Sequence, residues 1–169
     1  MTQDAETDFI EGMGLALQGD GMPRIAGRLM GLFVLHGGPF SFADLAERLE
    51  ISRGSVSTNT RLLEDLGVIE RVAIRGERQD FFRLAPDPYT RIVERKRVRS
   101  IRTQEMILRN SETLEGLDTE GRARVDELAH FYTVLVDITD RALDEIGRFD
   151  ASADRDRDTR AAPSSVAAE

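Results

Sequence analysis

The run from Ser52 to Leu66 brings together side chains that can contact nucleic acid. On a helical wheel at about 100° per residue, Val56, Thr60 and Leu63 fall together and are expected to face a core. The opposite side collects small, hydroxylated and cationic residues, namely Arg53, Gly54, Ser55, Ser57, Thr58 and Arg61. Small residues let the backbone approach base edges, Ser and Thr bond to bases or phosphates, and Arg forks onto guanine. We therefore predict these six residues as DNA-binding, the alternative being a solvated surface of poor helix formers.

A second candidate group is a turn, Arg75-Gly76-Glu77-Arg78. Gly76 permits a tight reversal and leaves Arg75 and Arg78 on its flanks. Arginines at such a tip are attracted into the minor groove of DNA by its negative potential. We predict Arg75 and Arg78 as DNA-binding. The alternative is that Glu77 and Asp80 pair with them and form a salt-bridged turn.

The elements that must position these residues follow the pattern of a winged helix-turn-helix. An apolar stripe after Ser41 predicts a short helix, and Asp44 completes a weak capping box at its start. Ser52 caps the second helix and Gly67 ends it. Strand-like residues then form a hairpin, or wing, and these are residues 68–74 and 79–84. We predict a mainly α fold with a small β-hairpin wing and with N- and C-terminal dimerisation helices.

The charge is distributed unevenly along the chain. The net charge of −8 argues against nucleic-acid binding when taken alone. Residues 71–109, however, hold 11 basic and 5 acidic side chains, whereas residues 1–70 hold 5 and 11. Of the 23 basic residues 22 are arginine, which suits bidentate phosphate contacts, although a compositional bias would also enrich arginine. The clustering indicates a local surface for a polyanion on an acidic body. The charged run 94–99 is either a solvated helix face or a contact to phosphate.

Several classes of protein are disfavoured by what the sequence lacks. It has no cysteine and only two histidines, so we predict no cofactor and no metal site. Asp137, Asp140 and Asp144 share one side of a helix, but no base or ligand set accompanies them, and we expect no enzyme. The start is acidic, unlike a signal peptide, and the apolar run 29–35 is too short for a bilayer. We therefore expect a cytoplasmic protein with no membrane partner.

The sequence predicts helices towards both ends of the chain. Residues 4–18 show helical spacing, and Gly27 and Gly31 predict close packing of a second helix against another. From 120 to 149 an apolar stripe runs along one helix, and its partner is either an intramolecular helix or a second copy of the chain. The predicted domains are an N-terminal dimerisation helix (1–22), a winged helix-turn-helix (23–86), long dimerisation helices (87–149) and a disordered tail (150–169).

These residues carry a family resemblance. The segments 23–29 (PRIAGRL) and 52–59 (SRGSVSTN), followed by Gly76-Glu77-Arg78 and Phe81-Phe82, resemble the MarR-type winged-helix transcriptional regulators. The resemblance covers roughly residues 5–148 and is closest to the GbsR-like branch, which includes actinobacterial repressors of lipid and drug efflux pumps. Many MarR members carry Asp where this chain has Glu77.

The resemblance implies a homodimer that reads duplex DNA at an imperfect palindrome. It implies recognition-helix roles for Arg53, Ser55, Ser57, Thr58 and Arg61, and wing roles for Arg75 and Arg78. It also leaves room for a small amphipathic or aromatic effector, which no residue pattern identifies. The function that this predicts is a ligand-responsive repressor of a transport, efflux or stress operon. The alternative is a winged-helix module that binds proteins and does not read DNA.

Overall fold

The computed structural model describes residues 3–161 as six helices and three short strands. The helices are α1 (Gln3–Gly19), α2 (Arg24–His36), α3 (Phe42–Leu49), α4 (Arg53–Leu66), α5 (Pro88–Ser111) and α6 (Thr119–Ala161). The strands are β1 (Phe40–Ser41), β2 (Ile69–Val72) and β3 (Phe81–Leu84). The predicted fold class, mainly α with a β-hairpin wing after a helix-turn-helix, is confirmed.

The chain divides into two compact units that meet between Ile92 and Val93, within α5. The first unit contains α1 together with the helix-turn-helix and the wing. The second contains most of α5 and all of α6. The roles assigned to residues 1–22 and 87–149 in dimerisation stay predictions. No helix within residues 3–161 is long and apolar enough to cross a membrane.

The core of the first unit is built around α2. Ala26, Leu29, Leu32 and Phe33 recur at three- and four-residue spacing and are almost completely buried. The residues that surround them come from the other elements of the unit, namely Ile10, Phe40, Leu45, Leu49, Val56, Leu63, Val68, Ile69 and Phe82. The helix-turn-helix and the wing therefore share one core with α2.

Two glycines let α1 and α2 approach closely. A Cβ added to Gly27 would lie 2.5 Å from the Met13 carbonyl oxygen, and one added to Gly31 would lie 3.2 Å from Cα of Ile10. Because real Cβ atoms do not come as near as 2.5 Å, only glycine fits at position 27 without a shift of the backbone. The predicted close packing of this helix is confirmed, and its partner is α1.

The sheet is antiparallel in the order β1-β3-β2, and its last wing pair is Val72 with Phe81. The predicted strands were too long, since residues 73–80 form the loop between them. Strand β1 was not predicted because two residues are too few to show the alternation of side chains that indicates a strand. It pairs Phe40 with Phe82. Gly38 precedes it at φ +89°, where a Cβ would lie 2.6 Å from the Phe82 carbonyl oxygen.

In the second unit α5 packs against α6. Ser100 and Ile107 of α5 are buried, and Gln104 Nε2 donates to Thr133 Oγ1 at 2.7 Å. Thr139, in the middle of the predicted apolar stripe of α6, is buried. Of the other stripe residues, Leu128 is exposed and Val125, Tyr132, Leu135 and Ile146 are half-buried. The stripe is therefore only partly covered within the chain, and the choice between the two partners stays a prediction.

The end of α6 differs from the prediction. The helix was expected to stop at Phe149, but it runs to Ala161, so the tail expected to be disordered is helical over residues 150–161. Alanine and arginine are good helix formers, and no glycine or proline interrupts the chain before Pro163, so nothing local ends the helix. The prediction for 162–169 lies outside the described residues.

Candidate nucleic-acid interface

The first helix of the helix-turn-helix starts at a complete capping box. The backbone N–H of Asp44 donates to Ser41 Oγ at 3.2 Å, and the N–H of Ser41 donates to Asp44 Oδ2 at 2.8 Å. Two N–H groups that a helix start leaves without partners are thus satisfied. The hydrogen bonds from the backbone and side chain of Ser41 hold the pKa of the Asp44 carboxyl below its usual range. The predicted box is confirmed.

The turn into α4 is set by two residues. Glu50 takes a left-handed conformation at φ 52° and ends α3, which costs energy for a side chain other than glycine. Two residues later Ser52 Oγ accepts from the backbone N–H of Ser55 at 3.1 Å, so α4 begins with the predicted cap. Gly67 ends α4 at φ 77°, also as predicted.

An arginine of α2 joins this turn to α1. Arg28 Nη2 donates to the Leu49 carbonyl oxygen at 2.9 Å, and its Nε lies 2.6 Å from Glu11 Oε1 without the alignment of a hydrogen bond. Arg24 Nη2 donates to the other oxygen of Glu11 at 2.7 Å. The Arg24 hydrogen bond, aided by the charge of Arg28, holds the pKa of the Glu11 carboxyl below its usual range.

The predicted orientation of α4 is confirmed. Val56, Thr60 and Leu63 are buried in the core. On the other side Arg53, Gly54, Thr58 and Arg61 are exposed, while Ser55 and Ser57 are half-buried; we call these six residues the outer face of α4.

The hydroxyl groups of the outer face are partly engaged. Thr58 Oγ1 donates to the Gly54 carbonyl oxygen at 3.1 Å, and the hydroxyls of Ser52 and Ser55 lie 3.0 Å apart. Both contacts lie within the first turns of α4 and leave the surface open. The outer face therefore presents hydroxyls and cationic groups, and no carboxylate before Glu64.

Asn59 was not singled out in the sequence, and it lies on the inner side of α4. It is buried, its Nδ2 donates to the Ser55 carbonyl oxygen at 2.8 Å, and its Oδ1 finds no partner among the described residues. Asparagine is usually exposed, so residue type gave no signal. Its wheel position about 40° from Leu63, at the edge of the buried side, was the available clue.

The wing tip presents both predicted arginines to solvent. Gly76 has φ +91°, and the N–H of Glu77 donates to the Ile74 carbonyl oxygen at 3.0 Å to close the turn. Arg75 and Arg78 are exposed. The alternative of a salt-bridged turn is not what the described residues show. Asp80 pairs with Arg71, and no ion pair joins Arg75 or Arg78 to Glu77 or Asp80 there.

The carboxylate of Asp80 instead binds Arg71, which ties the wing to α4. Arg71 Nη1 lies 3.0 Å from Asp80 Oδ2, and its Nη2 lies 3.5 Å from Glu64 Oε2 near the end of α4. The same guanidinium lies over the Phe82 ring, 5.5 Å from its centroid.

The arginines of the outer face and the wing tip thus carry positive charges that no described carboxylate compensates. Among the side chains that the structure describes, those of residues 3–148, no ion pair involves Arg53, Arg61, Arg75 or Arg78, whereas Arg71 and Arg83 on the neighbouring strands are paired. Exposed guanidinium groups of this kind suit phosphates and guanine edges. Over the same part of the chain, no three histidine or carboxylate side chains come together as a metal site.

Comparison with known proteins agrees with this geometry. Residues 20–79 match the family model described as MarR family. The chain is 40% identical over 95 residues to the HTH-type transcriptional regulator MmpR5 of Mycobacterium tuberculosis (strain ATCC 25618 / H37Rv), covering 56% of this chain and 57% of that protein. It is 28% identical over 87 residues to the HTH-type transcriptional repressor OpcR of Bacillus subtilis (strain 168), covering 52% and 47%.

A solved structure described as a crystal structure of a transcriptional regulator superposes with a TM-score of 0.75. That protein is 26% identical, and the match covers 87% of this chain and 99% of the other. The chain spans about half the length of the curated relatives it matches.

The capped helix pair, the outer face of α4 and the three-stranded sheet define a winged helix-turn-helix protein. Within that class, residues 20–79 are similar to the MarR family, whose model matches this part of the chain. The expectation that it is not an enzyme agrees with relatives that are all described as regulators. Its placement in the GbsR-like branch stays a prediction.

Proposed function

We propose that this chain is a homodimeric, sequence-specific DNA-binding regulator of transcription that acts in the cytoplasm as a ligand-responsive repressor. The observation that carries the proposal is the outer face of α4. It is exposed and hydroxylated, holds unpaired arginines, and lies on a helix whose other side is locked into the core. Helices of this kind enter the major groove with their N-terminal residues against base edges. Arg53, Gly54, Ser55, Ser57, Thr58 and Arg61 are the proposed reading residues.

The wing adds a second contact. Arg75 and Arg78 are exposed around Gly76 and are free of the neighbouring carboxylates, which supports their insertion into the adjacent minor groove. Because Arg71 ties the hairpin to Glu64 of α4, the two contacts keep a fixed relation to each other.

The homodimer is supported by an apolar face of α6 that sequence analysis missed. Phe131, Val134 and Ile138 lie at three- and four-residue spacing and are 56%, 41% and 55% exposed. They point away from the side of α6 that carries Thr133 and Thr139. Contiguous exposed apolar residues on a helix mark an association surface. We propose that a second copy of the chain covers this face.

A two-fold dimer presents two recognition helices. Its operator is then an imperfect palindrome whose half-site centres lie about 10 base pairs, one helical turn, apart. Repression is supported by the printed description of OpcR as a transcriptional repressor. A transport, efflux or stress operon as the target rests on the family resemblance alone.

Ligand response is the remaining part of the proposal. In the second unit a cleft of about 530 Å3 lies between α5 and α6, and it is lined by Glu94, Arg97, Val98, Asp140, Leu143 and Asp144. Its mixture of apolar and charged groups suits a small amphipathic molecule. An effector can move the DNA-binding equilibrium only by preferring one state of the dimer, so a ligand that raises the unfolding temperature counts as an effector only if it also changes operator affinity.

The reading surface is tested by selecting duplexes from a random pool with the full chain and measuring gel shifts on the selected site. Arg61→Ala and Arg78→Ala are each expected to weaken operator binding by roughly ten-fold, corresponding to about 1–3 kcal/mol for a base contact. Arg124→Ala, on α6, removes an exposed arginine outside the reading surface and is expected to change little. If Arg61→Ala and Arg78→Ala both bind as tightly as the parent, the reading surface is wrongly assigned.

The second candidate function, a protein-interaction module, is distinguished from DNA binding by how the affinity for the partner depends on salt concentration. Binding through several arginines to phosphates should weaken steeply between 50 and 200 mM salt, by about 10³-fold or more for six phosphate contacts. A protein–protein contact responds much less. A selected partner whose affinity changes less than about three-fold over this range would favour the protein-interaction module.

A further inference from the structure

A row of arginines lies along one face of α5. At about 100° per residue, Arg95, Arg99, Arg102 and Arg109 fall within an arc of about 80°. All four are exposed. We call these four residues the arginine stripe. The sequence analysis noted the charged run at 94–99 but did not recognise the stripe, which follows helical spacing and extends beyond that run.

The stripe lies opposite the packed side of α5. Ser100 and Ile107 are 2% and 7% exposed, and Arg97 and Gln104 on the same side bond to Asp140 and Thr133 of α6. These residues fall about 180° from the centre of the arc that holds the arginine stripe. The stripe therefore projects away from α6.

The arginine stripe forms no ion pair in the part of the chain that the structure describes, although Glu105 lies beside Arg102 and Arg109 on the helix. None of its four guanidinium groups lies in an ion pair there, whereas Arg97, Arg124 and Arg148 on the same two helices are each paired with a carboxylate. Like charges three and four residues apart destabilise a helix by a few tenths of a kcal/mol per pair. A bound polyanion would remove this repulsion.

We propose that the arginine stripe binds the phosphate backbone of duplex DNA outside the bases that α4 reads. Arginine forks onto phosphate oxygens, and the stripe extends over about 21 Å, along which a duplex presents about twelve phosphate charges. The inference rests on the proposed function, because operator binding by the same chain brings flanking DNA to a high effective concentration.

A membrane surface fits the stripe less well. A helix lying in a bilayer interface buries an apolar face opposite its cationic face. In α5 that opposite face is engaged by α6 and carries Ser100, Arg97 and Gln104. The duplex is therefore the occupant that the observations favour.

The test compares two duplexes, the selected operator alone and the same operator extended by about 20 base pairs on each side. The variant carries Arg95→Gln, Arg99→Gln and Arg102→Gln, which keep a helix-forming side chain while removing three charges. It is expected to bind the long duplex at least ten-fold more weakly, with a slope of log K against log salt that is shallower by about two to three units per protomer. On the short duplex its affinity should change less than about two-fold.

The matched control carries Arg124→Gln, Arg141→Gln and Arg148→Gln, which remove the same charge from exposed positions of α6. It should bind both duplexes as the parent does. A second variant, with Arg95→Lys, Arg99→Lys and Arg102→Lys, keeps the charge and should retain most of the long-duplex affinity. The lysine variant preserves the helix and its charge. If the affinity for the long duplex falls in the glutamine variant and not in the lysine variant, the effect is therefore due to charge.

The inference is overturned if the glutamine variant binds the long duplex with the parent's affinity and salt slope. It is equally overturned if that variant loses binding only to vesicles of phosphatidylserine and phosphatidylcholine and keeps its binding to DNA. Failure of the proposed function looks different. There the parent selects no operator, or Arg61→Ala has no effect on either duplex, whatever the glutamine variant does.

Discussion

The guanidinium of Arg28 donates to the carbonyl oxygen of Leu49 at 2.9 Å, so a side chain of α2 holds the last turn of α3. Leu49 is followed at once by Glu50, whose left-handed conformation starts the turn into α4. Because Arg28 also pairs with Glu11, the position of the recognition helix is linked to α1 through a single side chain. An arginine in this place acts as a brace rather than as a DNA contact.

Replacing Arg28 should therefore lower stability more than replacing its exposed neighbour. Arg28→Gln leaves the Leu49 carbonyl without its charged donor and one oxygen of Glu11 without its ion-pair partner, and we expect a loss of about 1–3 kcal/mol in the free energy of unfolding. Arg24→Gln, whose side chain is 49% exposed, should cost less than about 1 kcal/mol. Urea unfolding at one fixed protein concentration measures both. Equal losses would contradict the bracing role.

The close approach of α1 and α2 predicts opposite effects for alanine at two glycines. Gly27→Ala places a Cβ 2.5 Å from the Met13 carbonyl oxygen and should lower the free energy of unfolding by at least about 2 kcal/mol. Gly12→Ala on the open side of α1 meets nothing within 4 Å and should be neutral or stabilising by up to about 1 kcal/mol. Thermal unfolding of the two variants decides this, and a tolerated Gly27→Ala would show that the helices can separate.

The N-cap of α4 gives a prediction about a single hydroxyl. Ser52→Ala removes the acceptor for the Ser55 N–H and should lower the free energy of unfolding by about 1 kcal/mol. Ser57→Ala on the same helix removes a hydroxyl that makes no cap and should stay within about 0.5 kcal/mol of the parent. Both are measured by urea denaturation. A Ser52→Ala value within the Ser57→Ala range would refute the cap.

The acid side of the stability profile should depend on Glu11 and Asp44. Both carboxyls have a lowered pKa in the folded chain, so the unfolded chain binds more protons in the acid range. Their stabilising contributions are fully present above the usual carboxyl pKa, near 4, and are lost as the pH falls from there through the lowered pKa of the folded chain. The double variant Glu11→Gln/Asp44→Asn should show a shallower fall in urea midpoint between pH 6 and pH 3.5. Glu115→Gln, at an exposed position, serves as the control and should follow the parent.

The proposed homodimer predicts the effect of charge on α6. Phe131→Glu and Ile138→Glu each place a carboxylate on the exposed apolar face and should shift the chain from dimer to monomer in sedimentation. Gln79→Glu, which adds the same charge at an exposed position of the wing loop, is the control and should leave the dimer intact. A dimer that survives both apolar-to-acidic changes would place the second copy elsewhere.

Local patterns were enough to predict the helix-turn-helix. The caps at Ser41 and Ser52, the stop at Gly67 and the inward side of α4 depend on neighbours within one helical turn, and all four are confirmed. The ion-pair partner of Asp80 could not be predicted, because four arginines lie near it in sequence and only the pairing of β2 with β3 brings Arg71 beside it.

Long-range geometry accounts for what the sequence analysis did not anticipate. Strand β1 exists because Phe82 lies opposite Phe40, a pairing across more than 40 residues that no local signal encodes. The face with Phe131 and Ile138 was missed because a cleaner seven-residue repeat, through Val125 and Thr139, ran beside it on α6. Sequence periodicity therefore identified a stripe that is buried at Thr139 and exposed at Leu128, and it missed the more exposed apolar face beside it.

The guanidinium of Arg71, held between Glu64 and Asp80, has a further consequence for a duplex bound in the proposed way. Through these two ion pairs, the recognition helix and the wing keep a set distance from each other. The protein then recognises the distance along the DNA between a major-groove stretch and the neighbouring minor-groove stretch, besides the bases in each. Inserting one base pair between the two stretches would leave every base contact available in principle and still prevent both from being made at once.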